Sequence, residues 1–172
     1  MPLFEPVTIQ VLSVSRPGGS LTNSTASDQD YSSVYTIPAG LLTTNRVIRV
    51  SLTFQSVTGV SAVTMTPYLK LGSTKVFVCG SPVNAADSVT RSTVAVYQIV
   101  GTAAAGASVS VEAGCVTPPF TGLGTTAMNN VSQPVASIAT NGTLAITPGL
   151  TFSGTGSTET YTLLSAIVEL LN

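Results

Sequence analysis

The chain has 172 residues, of which only 8% are charged: six Lys or Arg against seven Asp or Glu, for a net charge of −1. Soluble domains usually carry about a quarter charged residues; here 44% are hydrophobic and 47 are Ser or Thr. Six basic side chains (Arg16, Arg46, Arg49, Lys70, Lys75 and Arg91), cancelled by the acids, cannot neutralise many phosphates, which argues against a nucleic-acid partner and against polybasic membrane docking.

The first residues, Met1-Pro2-Leu3-Phe4-Glu5-Pro6, lack the basic and apolar regions of a signal peptide, so a complete product made in the cytoplasm is expected. Val7, Ile9 and Val11 alternate across Pro6–Val14 and predict a strand. Arg16–Asp30, opening on Pro17-Gly18-Gly19-Ser20 and then polar, reads as a linker. Residues 1–29 are therefore expected to form an N-terminal arm and linker, and 30–172 the folded domain. Phe4, Val7, Ile9 and Val11 become candidate partner contacts, because an apolar strand on a tether can close on its own domain or add to a neighbour's sheet.

Beyond the arm, Thr and Val dominate and Gly, Pro and Asn recur at short intervals, the pattern of an all-β chain. Strands are predicted at Tyr31–Ile37, Val47–Ser56, Val63–Leu71 and Lys75–Cys79. In the second of these Ile48, Val50, Leu52 and Phe54 share one face; in the third Val63, Met65, Leu69 and Leu71 do, and Pro67 suggests an edge or a bulge. Leu71-Gly72-Ser73-Thr74 reads as a hairpin turn. Val89–Val100 is largely apolar on both faces, as in a central or interface-covered strand. Ser108–Val116 follows. Thr117–Pro134 is the longest internal loop, and its Phe120, Leu123 and Met128 are further candidate contacts. Val135–Ala139 and Thr143–Phe152 flank Asn141-Gly142, a type I′ hairpin signal. Thr160–Leu171 ends largely apolar (Leu163, Leu164, Ala166, Ile167, Val168, Leu170 and Leu171), and Thr160, Tyr161, Thr162, Ile167 and Val168 favour a buried strand over a helix. The sum is an all-β, jelly-roll-like β-sandwich of about eight or nine antiparallel strands with an extended N-terminal arm.

Enzyme chemistry finds little support. Without His no Ser-His-Asp or Cys-His arrangement is available, and no phosphate or dinucleotide loop occurs. Asp28 and Asp30, the nearest carboxylate pair, fall in the polar stretch and read as solvated; they lack the other ligands of a calcium loop. Asp87 and Arg91 read as a surface ion pair. Cys79 and Cys115 match no zinc spacing and read as small apolar side chains, with a bridge disfavoured in a reducing cytosol. No catalytic residue, cofactor or metal is expected. Weak charge instead suits permanent packing against copies of the same chain or another assembly.

Tyr35-Thr36-Ile37-Pro38-Ala39-Gly40-Leu41-Leu42-Thr43-Thr44-Asn45-Arg46-Val47-Ile48-Arg49-Val50, with Leu69–Thr74, Val89-Thr90-Arg91 and the Gly101–Gly106 turn, resembles small jelly-roll virion proteins of tailed bacteriophages. These include capsid decoration (cement) proteins and head or tail fibre modules. The resemblance spans residues 31 to 172 and implies no catalytic residues. It implies a homotrimer on the capsid exterior, bound to the major capsid protein, with the N-terminal arm making inter-subunit contacts. The alternative it leaves is a fibre or tail module that binds a host receptor or glycan, for which the absence of Trp removes the commonest sugar platform.

Overall fold

The computed structural model describes residues 8–22, 27–44, 46–57, 63–78, 83–84, 90–101, 109–114, 133–134, 138–153 and 159–171. Every regular element among them is a strand: β1 (Ile9–Ser15), β2 (Ser20–Thr22), β3 (Asp28–Asp30), β4 (Tyr35–Ile37), β5 (Val47–Val57), β6 (Val63–Leu71), β7 (Thr74–Val78), β8 (Val83–Asn84), β9 (Thr90–Gly101), β10 (Val109–Gly114), β11 (Gln133–Pro134), β12 (Leu144–Phe152) and β13 (Thr160–Leu171). They form two antiparallel sheets, and the protein is an all-β sandwich. One sheet has seven strands in the order β1-β13-β5-β9-β10-β11, with β2 also on β13. The other has six, in the order β3-β12-β6-β7, with β4 on β12 and β8 on β6.

Alternation places the core. In β5, Ile48, Val50, Leu52 and Phe54 are buried, while Val47, Arg49, Ser51 and Thr53 are only partly so. β13 lies between β1 and β5 and buries Tyr161, Leu163, Ala166, Val168 and Leu170; a bulge between Leu163 and Ser165 keeps both halves on the inner face. β12 and β6 face them with Ile146, Leu150, Phe152, Met65, Leu69 and Leu71. Each fully buried Leu or Ile contributes about 1.5–3 kcal/mol by leaving water. Phe152 and Tyr161 meet across the sheets with ring centroids 5.0 Å apart, and Tyr31 packs 5.8 Å from Phe54 and donates its hydroxyl to the Tyr161 carbonyl at 2.8 Å. The fully buried Glu159 accepts a hydrogen bond from the Tyr161 hydroxyl.

Several short strands are pieces of one ladder. β1 and β2 both run along β13, and the Pro17–Gly19 stretch between them keeps contact through Gly18 N–H to Leu163 O (3.1 Å) and Leu163 N–H to Gly19 O (3.0 Å). β3 and β4 both run along β12, joined by Tyr31 N–H to Pro148 O and Val34 N–H to Ile146 O, each 2.9 Å. The segment that reads as a linker thus holds two short strands, one in each sheet, and closes one side of the sandwich. Pro67 and Pro148 sit opposite Leu150 and Leu69. Each lies on a stretch whose other flank is a gap between two short strands, so the missing N–H breaks no ladder there. β12 consequently runs unbroken through Pro148-Gly149.

Turns follow glycine where φ is positive. Gly72 (φ 60°) makes the two-residue β6–β7 hairpin, with Leu71 opposite Thr74. Gly40 (φ 72°) closes the turn after Ile37-Pro38, with Leu41 N–H to Pro38 O at 3.1 Å. Asn141-Gly142 departs from expectation. Gly142 does not have positive φ, Ile138–Thr140 is not a strand, and the pair makes a bend rather than a type I′ hairpin. Ile138–Thr140 instead lies against the Pro38–Gly40 turn, with Gly40 N–H bonded to Thr140 O at 3.0 Å. Cys79, Cys115, Asp87, residues 102–106 and most of the 117–134 loop lie outside the described residues.

Candidate assembly surface

The two outer faces of the sandwich differ in chemistry. On the seven-stranded sheet, register aligns outward residues in rows across four strands. Ile9, Leu171, Val47 and Val100 form one apolar row; Val14, Ile167, Ser51 and Val96 form another. Between them run Val11, Glu169, Arg49 and Gln98. Directly opposed side chains stand about 4.5–5.5 Å apart, so each row is a continuous strip. Arg49 Nε donates to Glu169 Oε2 at 2.7 Å, so these two charges offset each other, and that bond raises the guanidinium pKa further; on β10 the same row continues to Glu112, opposite Gln98. Ile9, Val11 and Val14 are 52%, 55% and 67% exposed, and Ile9 and Val14 stand beside the half-buried Leu171 and Ile167. An apolar strip of this kind on an outer sheet face marks an interaction surface more often than scattered single residues do.

Alternation in the sequence selects Ile9 and Val11, which the structure brings together on this face; Val14, the most exposed of the three, falls at the end of the predicted strand and out of its alternation. Its outward direction comes from a bulge between Val11 and Ser13, which shifts the alternation by one residue. No sequence signal marks that shift. Phe4, Val7, Phe120, Leu123 and Met128 lie outside the described residues.

The six-stranded sheet carries a charged clasp instead. Tyr68 on β6 opposes Gly149 on β12, which opposes Asp30 on β3. The ring lies flat over Gly149 and its hydroxyl donates to Asp30 Oδ1 at 2.6 Å. Lys70 Nζ bonds Asp30 Oδ2 at 2.6 Å, and Lys75 Nζ bonds both Asp28 oxygens at 2.9 Å and Thr151 Oγ1 at 3.1 Å. Lys75 Nζ also lies 4.1 Å from the Tyr68 ring centroid, a cation–π contact. Tyr68 is thereby fully buried on what alternation makes the outer face. Burial, then the Asp30 bond, pushes its phenol well above the ordinary range. The Thr151 hydroxyl, then Lys75, holds the Asp28 carboxyl below its usual value.

Asp28 and Asp30 are therefore ion-paired rather than simply solvated, a correction to the reading of them as solvated linker residues. Their partners lie 40 and 47 residues away, beyond any local spacing rule. Two carboxylates, two ammonium groups and a phenol satisfy one another, so the cluster works as a tie between β3, β12, β6 and β7 rather than as reactive chemistry. Among the described residues no three His, Cys, Asp or Glu side chains gather as metal ligands would. Among the described residues three pairs take up six of the thirteen charged side chains of the chain, two of them on this face and Arg49–Glu169 on the other.

No family model matches the sequence, and no curated protein matches it. Among solved structures, a chain in a structure of infectious bursal disease virus, Gx strain, is similar over 96% of this chain at 8% identity, with a TM-score of 0.39. A chain from the Gt strain is similar over 95% at 11% identity, with a TM-score of 0.36. This chain spans 33% of the length of each.

Proposed function

We propose that this chain is a non-enzymatic virion structural protein, a capsid decoration (cement) protein that binds the outside of a tailed-phage head and ties neighbouring major capsid protein subunits together. The observation that carries the reading is the apolar part of the outer face built around Ile9, Val11, Val14, Ile167 and Leu171. Such a face is costly to leave in water and gains from permanent cover. The opposite face is locked by its own ion pairs. The resemblance to phage decoration modules supplies the partner and a homotrimeric state. Each copy seated across a joint between capsid subunits removes apolar area from water, and many copies add modest contacts into a shell that resists internal pressure.

Purified chain added to heads that lack it provides the test. Apolar docking predicts saturable binding that survives an increase in NaCl from 0.1 to about 1 M, where exposed charge contacts are screened to ~3 Å. Binding that vanishes with salt, or none at all, contradicts the proposal. Selective binding to a host glycan or surface protein would favour a fibre module.

A further inference from the structure

We infer that β1 is a self-pairing edge, and that two copies of this chain join their seven-stranded sheets through antiparallel β1–β1 contact about a two-fold axis. This goes beyond the proposed capsid contact and does not depend on it. β1 ends its sheet and, among the described residues, pairs only with β13. Its other side is a row of backbone donors and acceptors, a template that only another extended strand covers fully.

Three features identify a second copy as the occupant. First, Thr8–Ser15 contains no charged residue, so the strand meets no like-charge repulsion from its own image. Natural edges are usually guarded by Lys or Pro, and this one has neither between Thr8 and Arg16. Second, the strand is self-complementary through its bulge. Ile9 and Val11 point outward before the bulge and Val14 after it, whereas Gln10, Ser13 and Ser15 align with core residues of β13. An antiparallel register that opposes Ile9 to Val14 of the second copy also opposes Gln10 to Ser13 and Thr8 to Ser15. Like faces then meet on both sides of the axis, with the bulge residues Val11 and Leu12 at the axis itself. In a regular strand, residues five apart face opposite ways and this register would mismatch every pair. The bulge, usually a guard that twists an edge away, here restores the match. Third, the pairing extends the apolar rows Ile9–Leu171–Val47 and Val14–Ile167 end to end across the axis, so side chains exposed by half or more are covered by equivalents.

The contact is small. A seven-residue strand spans roughly 23 Å, and its buried area falls short of the ~800 Å² per partner of a stable complex. A dissociation constant near ~0.1 mM is expected, weak in dilute solution and effective where copies are crowded on a shell.

Sedimentation equilibrium of the full chain from about 5 µM to about 1 mM tests this. The weight-average mass is expected to rise about 1.7-fold across that range, on the way to a doubling at saturation. Val11→Lys, at a side chain already 55% exposed, should weaken the doubling at least tenfold without lowering the melting temperature. Mixed oxidation of Ile9→Cys and Val14→Cys chains supplies the second measurement. Residue 9 should cross-link to residue 14 faster than 9 to 9 or 14 to 14, against wild-type chain as the baseline for Cys79 and Cys115. Constant mass up to about 1 mM, a doubling that Val11→Lys leaves unchanged, or cross-links without the 9-to-14 preference would each overturn the inference. None of these outcomes bears on binding to heads, which is read separately.

Discussion

Gly149→Ala tests the reasoning about the clasp. A Cβ at position 149 would lie 2.2 Å from Cζ, 2.3 Å from Cε2 and 2.4 Å from the hydroxyl oxygen of Tyr68. Non-bonded heavy atoms settle near ~3.5–4.0 Å, so the ring must retreat by more than ~1 Å. It has nowhere to retreat without leaving Asp30, which its hydroxyl bonds at 2.6 Å, and without displacing the Lys75 ammonium above it. Forced overpacking costs about 1–3 kcal/mol and the lost hydrogen bond about 1. Replacing a strand glycine returns ~0.5–1 kcal/mol of backbone entropy. The net is a loss of about 1–3 kcal/mol. In urea, with a slope of about 1–3 kcal/mol/M for a domain of this size, the midpoint should fall by roughly 1 M. The same substitution in a Tyr68→Leu background should lose at least half of its penalty, since the obstructing ring is gone. A variant within ~0.5 kcal/mol of wild type, or an equal penalty in both backgrounds, would refute the account of Tyr68 as a ring held flat across Gly149.

Other consequences follow from single positions. Gly101→Ala would put a Cβ 2.2 Å from the Thr43 carbonyl oxygen, a backbone clash that no rotamer relieves, so thermal melting should show a loss of about 2 kcal/mol or more. Gly72→Ala forces a left-handed conformation at φ 60° and should cost about 1 kcal/mol in urea unfolding, with Gly72→Asn costing less. Asp28 has a carboxyl pKa held below 3.8 by Thr151 and Lys75. Its contribution is present above the unfolded pKa and is lost as pH falls through the lower folded value. Melting temperature measured from pH 7 to pH 2 should therefore drop below about pH 4, and Asp28→Asn should flatten part of that drop while lowering stability at pH 7.

The long strands were legible because their signal is local. β5 alternates over 11 residues, and burial of every second side chain is what a half-covered sheet requires, while β9 and β13 stood out as long runs rich in Val, Ile, Thr and Tyr. The short strands β2 and β3 carry no such signal. Three residues are too few to alternate, and their ladders are made by the backbone of Ser20-Leu21-Thr22 and Asp28-Gln29-Asp30, mostly polar side chains that compositionally read as linker. The clasp escaped for a related reason. Thr66, Tyr68 and Lys70 look like an ordinary wet face, and only the absence of a side chain at Gly149 on the neighbouring strand lets the ring lie down and be covered. Asn141-Gly142 misled because the dipeptide favours a hairpin only when strands flank it on both sides, and the preceding segment packs on the Gly40 turn instead. Of the candidate surface, Ile9 and Val11 were readable from alternation, whereas Val14 depends on a bulge set by pairing with β13.

The most direct test of a decoration role is the copy number and position of this chain in purified particles, by quantitative mass spectrometry and an electron cryomicroscopy map. The account predicts a number in fixed proportion to the major capsid protein, with density on the outer surface at subunit joints and the Ile9–Val11–Val14 face turned toward a neighbour. A few copies confined to the tail, or particles without the chain, would contradict it.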